Sequence, residues 1–163
     1  MDSETRKLML QKINEAKSLG RQLGFPNILY NEQYKELEIA GVLSHTYNEG
    51  QGPDAYTPDN EPCEYKSMSG NKGSFQYHWL SQDKVDKLKL TPHHYFAIYD
   101  KSTAELHHIY YIHIQHILPE IIESFDKGER ERILLNKTKN IGAHKSFSLQ
   151  KLIKLGATQV YPS

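Results

Sequence analysis

The chain has 163 residues, of which 37% are hydrophobic and 25% charged, and its formal net charge is zero. This composition predicts one compact domain, residues 1–163, that can bury a core without disulfide support. No apolar run approaches the roughly 18 residues that a membrane-spanning helix needs, and the charged segment from Met1 to Met9 lacks a signal-peptide core. Cys63 is the single cysteine, which excludes an intrachain disulfide, so we expect a cytoplasmic protein without membrane partners.

The charges are unevenly distributed along the chain. Residues 1–64 carry a net charge of −5, whereas residues 127–163 carry +6. A basic C-terminal third is able to contact phosphate groups. From charge alone, the simpler interpretation is a solvated helix face rich in lysine.

Two helices are predicted in the first 45 residues. Apolar residues recur at helical spacing from Ser3 to Leu23, and Gly24 and Pro26 end the pattern. A second helix is predicted from Glu32 to Leu43. Residues 48–52 are rich in turn-forming residues and predict a loop.

The middle of the chain is predicted to consist mainly of strands. Two of them, Pro53–Thr57 and Cys63–Met68, flank the turn sequence of residues 58–62. The elements expected next are a strand at Ser74–Trp79, a helix at Ser81–Leu88, a buried strand at His94–Tyr99 and a β-rich run at Glu105–Ile114.

The last third is predicted to be helical and to end in a strand. A helix is expected from Pro119 to Leu135, with a break near Gly128. Ser148 is a suitable cap for a short helix, Leu149–Leu155, that ends at Gly156, and Gln159–Tyr161 predicts a final strand. This order of elements predicts an α/β sandwich around one mixed sheet.

Three side chains in the predicted hairpin form a candidate catalytic site. Pro53-Asp54 precedes Glu64-Tyr65-Lys66, and residues two apart on a strand point to the same face. A turn at Asp59-Asn60 would place Asp54 opposite Glu64 and Lys66 on the neighbouring strand.

Such a group suits the hydrolysis of a phosphodiester bond. Asp54 and Glu64 are suitable oxygen ligands for Mg²⁺, and the backbone carbonyl of Tyr65 is a natural third ligand. The metal would polarise the phosphate and lower the pKa of a bound water molecule. Lys66 would hold that water or stabilise negative charge in the transition state.

Other interpretations of these acidic residues remain open. Asp59 also follows a proline, but it lies at the predicted turn, where aspartate is common for structural reasons. The whole triad could be a surface hairpin with solvated charges. Glu36 on the second helix is a possible additional metal-site carboxylate, although a solvated helix face is the simpler interpretation.

From about Asn48 onward, the chain resembles the PvuII-type restriction endonucleases of the PD-(D/E)xK nuclease superfamily. The most specific parts of the resemblance are Pro53-Asp54, followed by Cys63-Glu64-Tyr65-Lys66-Ser67, and the strand Phe96-Ala97-Ile98-Tyr99. Lys72-Gly73, a β segment ending in His78 and the closing residues 155–161 are more loosely similar. The resemblance covers roughly two thirds of the chain.

The resemblance implies a restriction-endonuclease-like fold, in which helices flank a central mixed β-sheet. It also implies a homodimer that cuts a short palindromic site in double-stranded DNA with Mg²⁺, and Asp54, Glu64 and Lys66 carry over as its catalytic residues. Residues 1–45 would then form a helical dimerisation region, residues 48–100 the catalytic core and base-reading strand, and residues 127–154 a basic DNA-contacting region.

The resemblance further implies that the strand after the hairpin enters the major groove of DNA. Ser74, Gln76 and His78 share one face of that strand, and glutamine pairs well with adenine. The further DNA-binding candidates are Asn140, His144, Lys145 and Ser146. The chain departs from the family here, because the run of adjacent histidines is reduced to His78 and the Asn-Asn reading segment is not preserved.

Two alternative functions are compatible with the same residues. One is a DNA repair or junction-resolving nuclease on the same scaffold, and the other is a DNA-binding module without catalytic activity.

Overall fold

The computed structural model describes residues 3–24, 33–70, 72–135 and 143–162. The helices are α1 (Ser3–Gln22), α2 (Gln33–Leu43), α3 (Gln82–Lys89), α4 (Leu118–Leu134) and α5 (Leu149–Lys154), with a 3₁₀ turn at Ile114–His116. The strands are β1 (Thr46–Tyr47), β2 (Ala55–Tyr56), β3 (Pro62–Ser69), β4 (Phe75–Leu80), β5 (His93–Tyr99), β6 (Leu106–His113), β7 (Ala143–Phe147) and β8 (Thr158–Tyr161).

Six strands form the central sheet, in the order β1-β2-β3-β5-β6-β8. Strands β3 and β5 are parallel, and the other neighbouring pairs are antiparallel. The connection from β3 to β5 contains β4 and α3, as a parallel pair requires a long crossover. The protein is therefore a mixed α/β domain with helices around a central mixed sheet, as the order of elements predicts.

Both faces of the central sheet are covered, so β5 is buried along almost its whole length. Phe96 and Ile98 pack into one apolar cluster with β4, α3, α4 and α5. Tyr95, Ala97 and Tyr99 point to the opposite face and pack into a second cluster, which includes Ile39 and Ala40 of α2. A strand buried on both faces explains the nearly continuous apolar run at this position in the sequence.

Strands β4 and β7 form a separate antiparallel ribbon of two strands. Its inner face contributes Phe75, Tyr77 and Phe147 to the core, and all three are fully buried. The alternate residues of β4, Gln76 and His78, are exposed on the outer face. The strand alternation expected for Ser74–Trp79 is thus confirmed, whereas β7 was not predicted as a strand.

The predicted break of the fourth helix near Gly128 is wrong, because α4 continues without interruption from Leu118 to Leu134. A side chain at position 128 would bring its Cβ to 2.7 Å from the Cβ of Ala143. Gly128 therefore allows α4 and β7 to pack closely. The predicted cap of α5 is confirmed, since the Ser148 side chain accepts a hydrogen bond from the Lys151 backbone amide.

Among the described residues, no helix combines the length and the apolar character needed to cross a bilayer. The single cysteine, Cys63, is buried as a free thiol between the central sheet and α2.

Candidate active site

The β2–β3 hairpin fixes the position of Asp54. Ala55 pairs with Cys63 and Tyr56 with Pro62, so the chain turns at residues 57–61. The Asp54 backbone amide donates to the Cys63 carbonyl at 2.9 Å, and its carbonyl accepts from the Asn48 amide at 3.0 Å. The Asp54 carboxylate then accepts a hydrogen bond of 2.6 Å from the Tyr65 amide. Asp54 thus lies beside the Glu64–Lys66 segment, as the hairpin prediction requires.

Glu64 and Lys66 lie on the same face of β3 and form an ion pair. Both side chains are largely buried, with 17% of the Glu64 side chain and 21% of the Lys66 side chain exposed. The Lys66 ammonium also donates to the Tyr65 carbonyl at 3.0 Å. The lysine is therefore held by both a carboxylate and a backbone oxygen of its own strand.

The Asp54 and Glu64 carboxyl groups titrate differently because only Glu64 has a direct cationic partner. Burial, together with the charge of Glu64, raises the pKa of Asp54 to about 7. Burial acts in the same direction on Glu64, but the charge and hydrogen bond of Lys66 outweigh it and hold the Glu64 pKa below its ordinary value. Burial acts to lower the pKa of Lys66, and the charges of Glu64 and Asp54 reverse this effect and raise that pKa.

The oxygen atoms of this site are of the chemical type that binds a divalent cation. The Lys66 ammonium contacts the Glu64 carboxylate and the Tyr65 carbonyl, which are two of the three groups predicted to bind Mg²⁺. In the protein without a metal ion, the positive charge of Lys66 thus lies against the oxygen atoms of Glu64 and Tyr65. A cation would also relieve the repulsion between Asp54 and Glu64.

The site provides fewer protein ligands than a closed metal site. Within the described residues, no group of three or more His, Cys, Asp or Glu side chains could hold a metal ion. Mg²⁺ commonly binds through one or two carboxylates and completes its shell with water and substrate phosphate. Two carboxylates and a backbone carbonyl match that pattern.

Clefts lie on two sides of the Glu64–Lys66 pair. The first has a volume of about 360 Å³ and is bordered by Lys66, Glu36 and three residues of the predicted base-reading segment, Ser74, Gln76 and His78. The second has a volume of about 690 Å³, and its walls include Asp54, Glu64 and Lys84. Lys66 therefore borders the same cleft as the predicted base-reading residues, whereas Asp54 and Glu64 border the other cleft.

Glu36 of α2 faces this region, as its role as a possible metal-site carboxylate requires. Its side chain borders the first cleft and accepts a hydrogen bond of 3.2 Å from the Tyr47 hydroxyl. Its negative charge acts on both Asp54 and Lys66. The neighbouring Glu38 is exposed.

The β4–β7 ribbon brings together two segments that are far apart in the sequence. Gln76 lies directly opposite Ser146, and the His78 and His144 rings approach each other, with 3.3 Å between their Nδ1 atoms. Gln76, His78, His144 and Ser146 are all exposed. Four of the seven predicted DNA-binding residues thus share the outer face of one ribbon.

The other three predicted DNA-binding residues lie in different places. Ser74 precedes β4 and borders the first cleft. Lys145 points to the inner side of the ribbon, where its ammonium forms an ion pair of 2.6 Å with Glu120 of α4. Asn140 lies outside the described residues.

The sequence interpretation missed the residues that support Lys66. The Lys66 ammonium lies 5.4 Å from the centre of the Tyr77 ring, and the Tyr77 hydroxyl is 2.7 Å from Nδ1 of His94. His94 is buried, its Nε2 is 3.0 Å from the Thr91 carbonyl, and burial lowers its pKa to about 4. Tyr77 lies on one predicted strand and His94 opens another, so neither position in the sequence indicates a role beside Lys66.

Two further residues near the site were also not identified from the sequence. Trp79 follows His78 and is 68% exposed. Its ring packs edge-on against the His144 ring, with 5.2 Å between the two ring centres. Its φ of 55° lies in the left-handed region, at the irregularity between Tyr77 and Leu80. Lys84 of α3 borders the second cleft together with both carboxylates.

Comparison with known proteins assigns no family to this chain. No protein-family model matches it, and no curated protein matches it.

Proposed function

We propose that this protein is a Mg²⁺-dependent endonuclease that hydrolyses phosphodiester bonds in double-stranded DNA. The observation that carries the proposal is the convergence of Asp54, Glu64 and Lys66 on one hairpin. A match to this motif in sequence does not by itself require its residues to lie together, and in this hairpin Asp54 lies against the strand segment that carries Glu64 and Lys66.

Each residue of the site has a specific part in the proposed reaction. Asp54, Glu64 and the Tyr65 carbonyl would hold Mg²⁺, which supplies a polarised phosphate and a water molecule of lowered pKa. Lys66 holds the attacking water or stabilises the negative charge that develops on the phosphate. Tyr77 and His94 position the Lys66 ammonium through the ring contact and the hydrogen bond that joins them.

The β4–β7 ribbon is the proposed DNA-reading element. The major groove of B-form DNA is wide enough for a β-ribbon of two strands. The outer face of this ribbon carries Gln76, His78, His144 and Ser146, whose side chains can hydrogen-bond to base edges. Ser74 and the first cleft connect this face to Lys66. We also propose that Asn140 contacts DNA. Lys145 does not belong to this outer face, because its side chain forms an ion pair with Glu120.

We extend the proposal to a type II restriction endonuclease with a restriction-endonuclease-like fold. The support is the resemblance of the hairpin motif and of the Phe96–Tyr99 strand to the PvuII-type enzymes, together with the central mixed sheet. Such an enzyme would act in the cytoplasm as a homodimer on a short palindromic site. In the proposed dimerisation region, Leu8 and Leu19 of α1 and Leu23, which directly follows the helix, are exposed, and a second copy would cover this apolar surface.

Cleavage of plasmid DNA by matched variants tests the proposed reaction. We expect the wild-type protein with Mg²⁺ to yield discrete fragments, and Lys66→Ala to lower the rate by about a hundredfold or more. Lys89→Ala is the control, because Lys89 pairs with Asp86 on the exposed side of α3. Circular dichroism of each variant checks the fold.

The outcomes separate the proposal from its alternatives. Wild-type and Lys66→Ala proteins that both bind DNA but fail to cleave it with Mg²⁺ would indicate a DNA-binding module. Cleavage of branched but not of linear duplex DNA would indicate a junction-resolving nuclease.

A further inference from the structure

Lys84 occupies an unusual position for a lysine of a short surface helix. It lies in the first turn of α3, where its backbone amide donates to the Ser81 cap. Its ammonium is partly buried and donates to the His78 carbonyl at 2.8 Å. The lysine thus spans from α3 to the outer end of β4, beside the second cleft.

Three physical effects disfavour a positive charge at this place. Burial lowers the pKa of Lys84, and the nearby charge of Lys66 lowers it further, although Glu64 and Asp54 act in the opposite direction. The first turn of a helix also carries the positive end of the helix dipole. The Lys84 ammonium, where it remains charged, can bind an anionic ligand at the cleft wall.

The other lysines of α3 have the ordinary arrangement. Lys87 pairs with Asp83 and Lys89 with Asp86, and all four side chains are largely exposed, although Lys87 and Asp83 also border the second cleft. Among the described residues, no carboxylate is in ion-pair contact with Lys84. Its contact with the His78 carbonyl uses one of the three ammonium protons and leaves two for a ligand.

We propose that Lys84 binds a backbone phosphate of the DNA strand that enters the cleft between α3 and the two carboxylates. This inference rests on the proposed function and adds a substrate contact to the same site. Because the Lys84 ammonium is anchored to the backbone of His78, the lysine joins the ribbon to the cleft that contains Asp54 and Glu64. Lys84 is then a phosphate-binding residue in the second cleft, beside the carboxylates of Asp54 and Glu64.

The salt dependence of DNA binding tests this assignment. Fluorescence anisotropy would follow the binding of a labelled, mixed-sequence duplex in EDTA over a series of salt concentrations, for the wild type, Lys84→Gln, Lys84→Arg and Lys89→Gln. One lost phosphate contact reduces the slope of log K against log salt concentration by about 1. We expect that reduction, and about five- to tenfold weaker binding at low salt, for Lys84→Gln alone.

The conservative and surface variants provide the controls. Lys84→Arg should retain the wild-type slope, and Lys89→Gln should behave like the wild type. The thermal midpoint of Lys84→Gln should be unchanged or higher, because the neutral amide avoids the cost of a partly buried charge.

The results distinguish the two proposals from each other. A wild-type slope in Lys84→Gln, or an equal reduction in Lys89→Gln, would overturn the assignment of Lys84 even if the wild-type protein cleaves DNA. A reduced slope in Lys84→Gln without any cleavage by the wild-type protein would support the phosphate contact and overturn the hydrolytic function. A wild-type protein that does not bind duplex DNA would overturn both.

Discussion

At the scale of single residues, the site depends on the unequal partners of two buried carboxylates. Glu64 has Lys66 as a direct partner, whereas among the described residues the Asp54 carboxylate accepts a hydrogen bond, of 2.6 Å, from the Tyr65 amide alone. The same hairpin therefore contains one group that stabilises the fold when ionised and one that destabilises it. This difference leads to opposite effects of two similar substitutions.

We expect Asp54→Asn to stabilise the cation-free protein above neutral pH, by about 1–3 kcal/mol. Because the pKa of Asp54 is raised to about 7, its contribution to stability is fully present only at acidic pH and is lost as the pH rises through 7. The asparagine amide does not ionise, so the variant does not lose this stability. The difference in the free energy of unfolding between variant and wild type should therefore disappear at acidic pH, and urea unfolding at several pH values would measure it. No pH dependence of the difference would contradict the raised pKa.

We expect the matched substitution Glu64→Gln to destabilise the protein by about 2–3 kcal/mol at neutral pH, since it leaves the buried Lys66 ammonium without its carboxylate. The pKa of Glu64 is lowered, so its contribution is present at neutral pH and is lost as the pH falls through that pKa. The same unfolding series would measure it. Equal effects of the Asp54 and Glu64 substitutions would contradict the assigned partners.

Binding of Mg²⁺ should depend on pH through Asp54. Below pH 7 the cation must displace a proton from this carboxyl group, so the apparent affinity should fall about tenfold per pH unit. Calorimetric titrations at about pH 6 and about pH 8 would measure the difference. Asp54→Asn is the control and should bind weakly at both values. Equal wild-type affinities would remove Asp54 from the metal site.

At the scale of elements, the ribbon of β4 and β7 determines which residues face DNA. Its register places Gln76 opposite Ser146, and its contact with α4 depends on the absence of a side chain at Gly128. The packing of α4 against the inner face of the ribbon thus helps to fix the position of its outer face, which carries the proposed DNA-reading residues.

We expect Gly128→Ala to destabilise the fold by about 1–3 kcal/mol, because the new Cβ would lie 2.7 Å from the Ala143 Cβ. Gly41→Ala in α2 is the matched control, since outside its chain neighbours and the surrounding helix backbone no atom lies within 4 Å of the added Cβ. Alanine favours a helix over glycine, so the control should be neutral or stabilising by up to about 1 kcal/mol. Thermal unfolding compares the two. A stabilising Gly128→Ala would show that α4 and β7 are not in close contact.

Trp79 provides a direct signal for contact of the ribbon with DNA. It is the single tryptophan of the chain and is 68% exposed beside His144. Duplex DNA should shift or quench its fluorescence if the outer face of the ribbon enters a groove. Gln76→Ala should weaken this response, whereas Lys101→Ala, in the exposed turn between β5 and β6, should not. An unchanged signal at saturating DNA would place the ribbon outside the interface.

At the scale of the whole molecule, local patterns predicted more than long-range pairings. The β2–β3 hairpin could be predicted because its turn and strands are adjacent in sequence, and β5 because burial on both faces gives a continuous apolar run. β7 was missed because Ala143–Phe147 is short and mostly polar, and it becomes a strand only by pairing with β4.

The same limit applies to the site. Asp54, Glu64 and Lys66 have a recognisable spacing, but Lys84 is surrounded in sequence by aspartates and lysines that predict a solvated helix face. Its contact with the His78 carbonyl exists only because α3 packs beside the end of β4. The supporting pair of Tyr77 and His94 also lies on two strands of different sheets.

Mapping of DNA ends is the strongest test of whether the β2–β3 hairpin forms a catalytic site for cutting duplex DNA. A sequenced phage genome would be incubated with the wild-type protein and Mg²⁺, with Lys66→Ala as the control, and all new ends would be sequenced. We expect the wild-type protein to generate ends at one short palindromic sequence and the variant to generate none. An intact genome, or the same ends with Lys66→Ala, would contradict the account.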